Sequence, residues 1–125
     1  MPPETDRDAL YLRHMLECID RIDEYSGGSE AHFKGSRMVQ DATIRNLQTL
    51  AESSQRLSEI ARSRAPGVPW RAIAGFRNIL VHDYLGIDPE VIWRVVANDL
   101  PALRAALLRL EQDIRPMGVP PAREQ

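Results

Sequence analysis

Between its chain breakers this sequence repeats its apolar residues at spacings of three and four, and no segment alternates at two for long. Leu12, Met15, Leu16, Ile19 and Ile22 form one such stripe, closed by Ser26, Gly27 and Gly28. That spacing stacks side chains on one face of an α-helix, whereas a half-buried strand needs alternation. The chain has to be built from amphipathic helices. Thr5 with Asp8 three residues later resembles a capping box for the first of them. Ser29 predicts a single turn through Phe33, and a second long helix is expected over 36–64. Its Val39, Leu47, Leu50, Ser54, Leu57 and Ala61 lie near one face. Ala65-Pro66-Gly67-Val68-Pro69 ends it, because proline breaks a helix interior. A third helix opens at Pro69-Trp70, turns Ile73, Phe76 and Leu80 inward, and stops before Gly86. Asp88-Pro89-Glu90 supplies a cap, a helix-entry proline and a dipole-complementing acid for a fourth. Asn98-Asp99-Leu100-Pro101 either kinks that helix or starts a fifth, capped by Asp99. The expected fold is an all-α antiparallel bundle of four to five helices over residues 1–115. The proline-rich stretch 116–125 is read as a flexible tail.

A length of 125 residues allows one domain with one core. The net charge of −2 is by itself no argument for a nucleic-acid partner. Its distribution is uneven: −5 over residues 1–33, +5 over 34–78 and −2 over 79–125. Of 16 basic residues 15 are arginine, with Lys34 the lone lysine. A single cysteine, Cys18, excludes an intramolecular disulfide and a cysteine-based zinc site, and reads as a small core residue. The acidic start MPPETDRD lacks the apolar region of a secretory signal. No uncharged run nears the roughly 18–20 residues that span a bilayer, so the expected location is the cytoplasm.

Most catalytic templates are missing. There is no phosphate-binding glycine loop, no Gly-x-Ser-x-Gly elbow and no histidine pair at metal-ligand spacing. Glu17, Asp20, Asp23 and Glu24 read as a solvated face paired with Arg13 and Arg21, and His14 and His32 as surface residues. Tyr11, Tyr25 and Trp93 are assigned to packing.

The segment 70–84, WRAIAGFRNILVHDY, stands apart. It places Arg77, His82 and Tyr84 within eight residues of an otherwise apolar helix. Arg77 and Tyr84, seven apart, share a face, whereas Arg77 and His82 lie about 140° apart on a regular helix. A shared site then needs the helix to end near His82, or a second copy of it from another subunit. Burying Arg and His without partners costs several kcal/mol (roughly 2–7 per polar group), so they have some reason to be there. The chemistry alone leaves a second reading open: an arginine paired with an acid on a neighbouring helix, beside a satisfied core histidine.

The run Arg77-Asn78-Ile79-Leu80-Val81-His82-Asp83-Tyr84 closely resembles the signature of HEPN-domain proteins, specifically the HepT-like toxins. Pro69-Trp70, Gly75, Ile87-Asp88-Pro89 and Gln40-Asp41-Ala42-Thr43-Ile44-Arg45-Asn46-Leu47 extend the likeness to roughly residues 8–113. The resemblance implies a homodimer, alone or within a larger hetero-complex, with two Arg-x4-His motifs facing each other in a composite cleft. It implies a metal-independent endoribonuclease and toxin that needs no cofactor. Arg77 and His82 are its implied catalytic residues, with Asn78 orienting His82 or donating to a phosphate oxygen. Histidine titrates near neutrality and serves as acid or base, and the arginine fork suits a phosphoryl oxygen. The implied partner besides RNA is an MntA-like minimal nucleotidyltransferase antitoxin that adds AMP to Tyr84. Other readings of Tyr84, as a packing residue, and of the whole chain, as a non-catalytic HEPN dimer that binds a nucleotidyltransferase, remain open at this stage. Arg37, Arg45, Arg56, Arg62, Arg64 and Arg71 either hold the RNA backbone or pair with Asp41, Glu52 and Glu59. Trp70 and Phe76 are assigned to helix packing before base stacking.

Overall fold

Side-chain caps close the breaks in the apolar periodicity. Ser29, Ser36 and Ser58 accept through their hydroxyls from the backbone N–H groups of His32, Val39 and Ala61, and the Asp88 carboxylate accepts from that of Glu90. Each satisfies an N–H that the first helical turn leaves without a partner. The computed structural model describes residues 4–83 and 86–114. The proposed tail and Tyr84 lie outside them.

Four long helices form the bundle: α1 (Glu4–Ser26), α3 (Arg37–Arg56), α5 (Trp70–Asp83) and α7 (Leu100–Ile114). Short helices connect them: α2 (Glu30–Lys34), α4 (Glu59–Ser63) and α6 (Pro89–Arg94). Among the described residues there is no strand, and no helix is long and apolar enough to cross a membrane. α1 ends at Gly27 and Gly28, whose φ of +61° and +71° suit glycine. The α1 stripe Leu12, Met15, Leu16, Ile19 and Ile22 is essentially fully buried, against Leu47 and Leu50 of α3 and Leu107 and Leu110 of α7. Cys18 lies in the same core, and burial pushes its thiol pKa up. Arg13 pairs with Glu111, and Arg104 with Asp20. The reversed order of those partners makes α1 and α7 antiparallel. Lys34 joins α2 to α6 by pairing with Glu90 as well as Glu30.

Four expectations are corrected. The Asp8 carboxylate is buried and does not serve a capping box: it accepts from the N–H and hydroxyl of Ser58, at 2.8 and 2.7 Å. That contact divides the helix expected over 36–64, because Leu57 and Ser58 take extended backbone between α3 and α4. Of the two readings of residues 98–101, the capped start is the one corrected: Asp99 caps no fifth helix, and the fourth is interrupted instead. Residues Val95–Asp99 form a π-helical turn, in which the Leu100 N–H reaches back to the Val95 carbonyl, and the chain runs on into α7. Pro101 has no N–H and its ring crowds the carbonyl four residues back, which accounts for the widening. Tyr25, assigned to packing, is exposed, whereas Tyr11 and Trp93 pack on the core.

Candidate functional site on α3 and α5

Trp70 anchors the start of α5. Its indole N–H donates to the carbonyls of Arg62 and Ala65, both at 3.1 Å, tying the helix to the end of α4. Ile73 and Phe76 pack partly buried on the core and Leu80 is fully buried, as the spacing predicts. Two contacts join α5 to α3: Glu52 meets Arg77, and the Gln48 side-chain amide donates to the Leu80 carbonyl at 3.0 Å. As the α3 number falls the α5 number rises, so the helices run antiparallel. The Leu80 carbonyl belongs to the last turn of α5, where helix carbonyls lose their intrahelical partners. Gln48 therefore caps the turn that carries His82.

Arg77 is half-buried. Its Nη2 reaches a Glu52 carboxylate oxygen and its Nη1 the Asn78 side-chain oxygen, both at 3.3 Å, while its buried Nε has no partner. These contacts sit at the long end for hydrogen bonds, and two of them leave most of the five guanidinium N–H donors uncommitted. Asn78 and His82 are exposed, and His82 has no hydrogen-bond partner among the described residues. Of the two chemical readings left open, the acid beside Arg77 is present, but His82 is not a core histidine. α5 stays helical through Asp83, so Arg77 and His82 of one chain remain about 140° apart. The fold places both on one helix and does not bring them together.

A cavity of about 980 Å³ lies elsewhere, between Leu47 and Leu50 of α3, Ile73 and Phe76 of α5, and Leu103 and Leu110 of α7. Neither Arg77 nor His82 lines it. Nothing in the sequence marks this trough, because its walls carry the same apolar spacing as a closed core.

The six flanking arginines divide. Arg62 donates to the Ser54 carbonyl and Arg64 to that of Asp113. Arg37, Arg45, Arg56 and Arg71 are exposed and have no partner among the described residues, so the expected pairing with Asp41, Glu52 and Glu59 along the helices does not occur. His14 and His32 are exposed, and Asp20 pairs across to α7 instead of along α1.

A family profile described as Ribonuclease HepT-like matches residues 15–110. The chain belongs to the HepT-like ribonuclease family. A protein of Methanocaldococcus jannaschii named "Gamma-glutamylcyclotransferase and putative RNase MJ0434" is 34% identical over 106 residues, 84% of this chain and 48% of that protein. The chain thus spans about half the length of that relative. "Putative RNase MJ1380" of the same organism is 33% identical over 95 residues, 75% of this chain and 87% of that protein. "Probable ribonuclease HepT" of Thermococcus cleftensis is 31% identical over 105 residues, 82% of this chain and 94% of that protein. No solved structure matches the chain.

Proposed function

We propose that this HepT-like chain is the toxin of a toxin–antitoxin pair, an endoribonuclease that acts as a homodimer and cuts RNA through Arg77 and His82. The observation that carries this reading is an exposed His82, without a hydrogen-bond partner among the described residues, one helical stretch from a half-engaged Arg77, in a chain of a ribonuclease family. Their angular separation is resolved if a second copy sets its own α5 opposite. Ile79, 51% exposed, and Val81, 36% exposed, lie between Arg77 and His82 and support burial against a partner.

In the proposed reaction one His82 imidazole takes the proton of the ribose 2′-OH as that oxygen bonds to phosphorus. The phosphorus–O5′ bond breaks, and the imidazolium of the second copy gives its proton to the departing O5′. The products are a 2′,3′-cyclic phosphate and a 5′-hydroxyl. The Arg77 fork holds the phosphoryl oxygens, where charge builds in the transition state. Asn78, bonded to Arg77, steadies the fork or donates to the same phosphate.

Control falls on Tyr84, two residues from His82, as the acceptor of AMP from an MntA-like nucleotidyltransferase. Each added phosphate would bring charge and bulk to an anion-binding cleft.

Purified protein should cut single-stranded RNA and leave the DNA of the same sequence intact, with His82→Ala inactive. Cleavage of the DNA would refute attack by the 2′-OH. On co-expression with the nucleotidyltransferase, intact mass should rise in AMP steps, and a rise in Tyr84→Phe would refute that assignment.

A further inference from the structure

Three arginines without a partner among the described residues line up on the outer faces of α3 and α5. On α1 and α7, Arg13, Arg21 and Arg104 are matched with acids. On α3, Arg45 and Arg56 are exposed with no partner among the described residues, and Arg71 of α5 is the same. At 100° per residue Arg45, Glu52 and Arg56 lie within about 40° of one another on α3. Arg71, Asn78 and His82 likewise share an arc of about 40° on α5. The Glu52–Arg77 and Gln48–Leu80 contacts fix how the two helices align. Arg45 then stands beside the turn of His82, and Arg56 towards the turn of Arg71. Each row is about 16 Å long at 1.5 Å per residue. Of the acids on this face among the described residues, Glu52 pairs with Arg77, and Asp41 stands one turn before Arg45. Among the described residues the other arginines without a partner are Arg37, about 80° round α3 from Arg45, and Arg7, Arg94 and Arg109, which stand singly on α1, α6 and α7.

We propose that the α3–α5 face is a phosphate track for single-stranded RNA, in which Arg45, Arg56 and Arg71 hold backbone phosphates on either side of Arg77 and His82. This rests on the ribonuclease reading and adds to it where the strand runs. A solvent-facing arginine that pairs with no acid gives up no existing pairing when it binds a phosphate, and its planar fork matches two phosphate oxygens. An exposed row of such groups reads the backbone without reading bases, so the track is indifferent to sequence.

The test is a binding titration on the full chain with a fluorescein-labelled 2′-O-methyl oligouridylate. Its blocked 2′-oxygen prevents cleavage, so binding is read separately from catalysis. Each lost phosphate contact should lower the slope of log affinity against log salt by about 0.7. For Arg45→Ala/Arg56→Ala/Arg71→Ala the change is about 2, so wild type should lose roughly 20-fold more affinity than the triple variant between 50 and 200 mM salt. Arg109→Ala, which removes one such charge from α7, should keep the wild-type slope. Circular dichroism checks that each variant is folded. No binding by the wild type, an unchanged slope in the triple variant, or a fall of about 0.7 in Arg109→Ala overturns the proposal. A lowered slope in the triple variant alone sustains it, even if wild type fails to cut unmodified RNA, a failure that would count against the ribonuclease reading only.

Discussion

The guanidinium of Arg77 and the carboxylate of Glu52 meet across α3 and α5, Nη2 to Oε2 at 3.3 Å, with side chains 31% and 51% exposed. A pair this open to solvent contributes only about 0–1 kcal/mol. Its importance is geometric, since it fixes one edge of a fork whose other donors stay available. Glu52→Gln should therefore shift the thermal midpoint by no more than a few degrees. Arg77→Lys keeps the charge but loses the planar fork, and RNA cleavage should fall about a hundredfold, the scale for removing one transition-state donor. Melting curves and single-turnover cleavage rates check the two halves. Near-normal cleavage by Arg77→Lys would show that only charge is needed.

Gln48 offers a second handle on the same helix. Its amide satisfies the Leu80 carbonyl, two residues before His82. Gln48→Ala should cost about 1 kcal/mol, the usual net value of such a bond. The loss should be local, so amide hydrogen exchange should quicken at Val81 and His82 while Leu16 and Leu107 in the core keep their protection. Uniform quickening across the chain would mean that Gln48 supports the whole bundle and not the end of α5.

Asp8 carries a larger load. Its carboxylate is 4% exposed and accepts both the N–H and the hydroxyl of Ser58. Asp8→Ala leaves a backbone donor without its charged partner, at a cost of about 2 kcal/mol. In a domain of this size that lowers the midpoint by roughly 5–10 °C. Asp8→Asn retains one acceptor and should recover part of the loss. A midpoint unchanged in Asp8→Ala would show that water replaces the carboxylate.

What the sequence made legible is what depends on near neighbours. Leu12 to Ile22 lie within three turns of one helix, and their spacing was enough to place them in the core. Ser29, Ser36 and Asp88 cap residues two or three positions away, so those starts could be read directly. Ser58 also caps locally, but its extended backbone is held by Asp8, 50 residues distant. Nothing around residue 58 reveals that partner, and the expected helix ran through the break. The same limit applies at the site. Arg77, Asn78 and His82 are contiguous enough to form a recognisable motif. Glu52 and Gln48 are ordinary polar residues of an amphipathic helix until the antiparallel packing of α3 on α5 sets them beside the motif.

Cys18 gives a readout of the core that is independent of any activity. It is 1% exposed, with Met15 and Ile22 of α1 fully buried one turn to either side, and burial holds its thiol pKa above the ordinary value. The thiolate is the reactive form, so both access and ionisation slow its attack on a disulfide reagent. In folded protein at mildly alkaline pH, Ellman's reagent should consume almost no thiol over minutes. In denaturant it should consume one equivalent at once. Between those limits the rate should follow the population of molecules whose α1 has come away from α3 and α7, because that opening is the route to the sulfur. Asp8→Ala should speed labelling in proportion to its loss of stability. Arg77→Ala, which removes a half-exposed group, should leave the rate nearly unchanged. Prompt labelling of the folded wild type would refute the packing of α1 at the centre of the bundle.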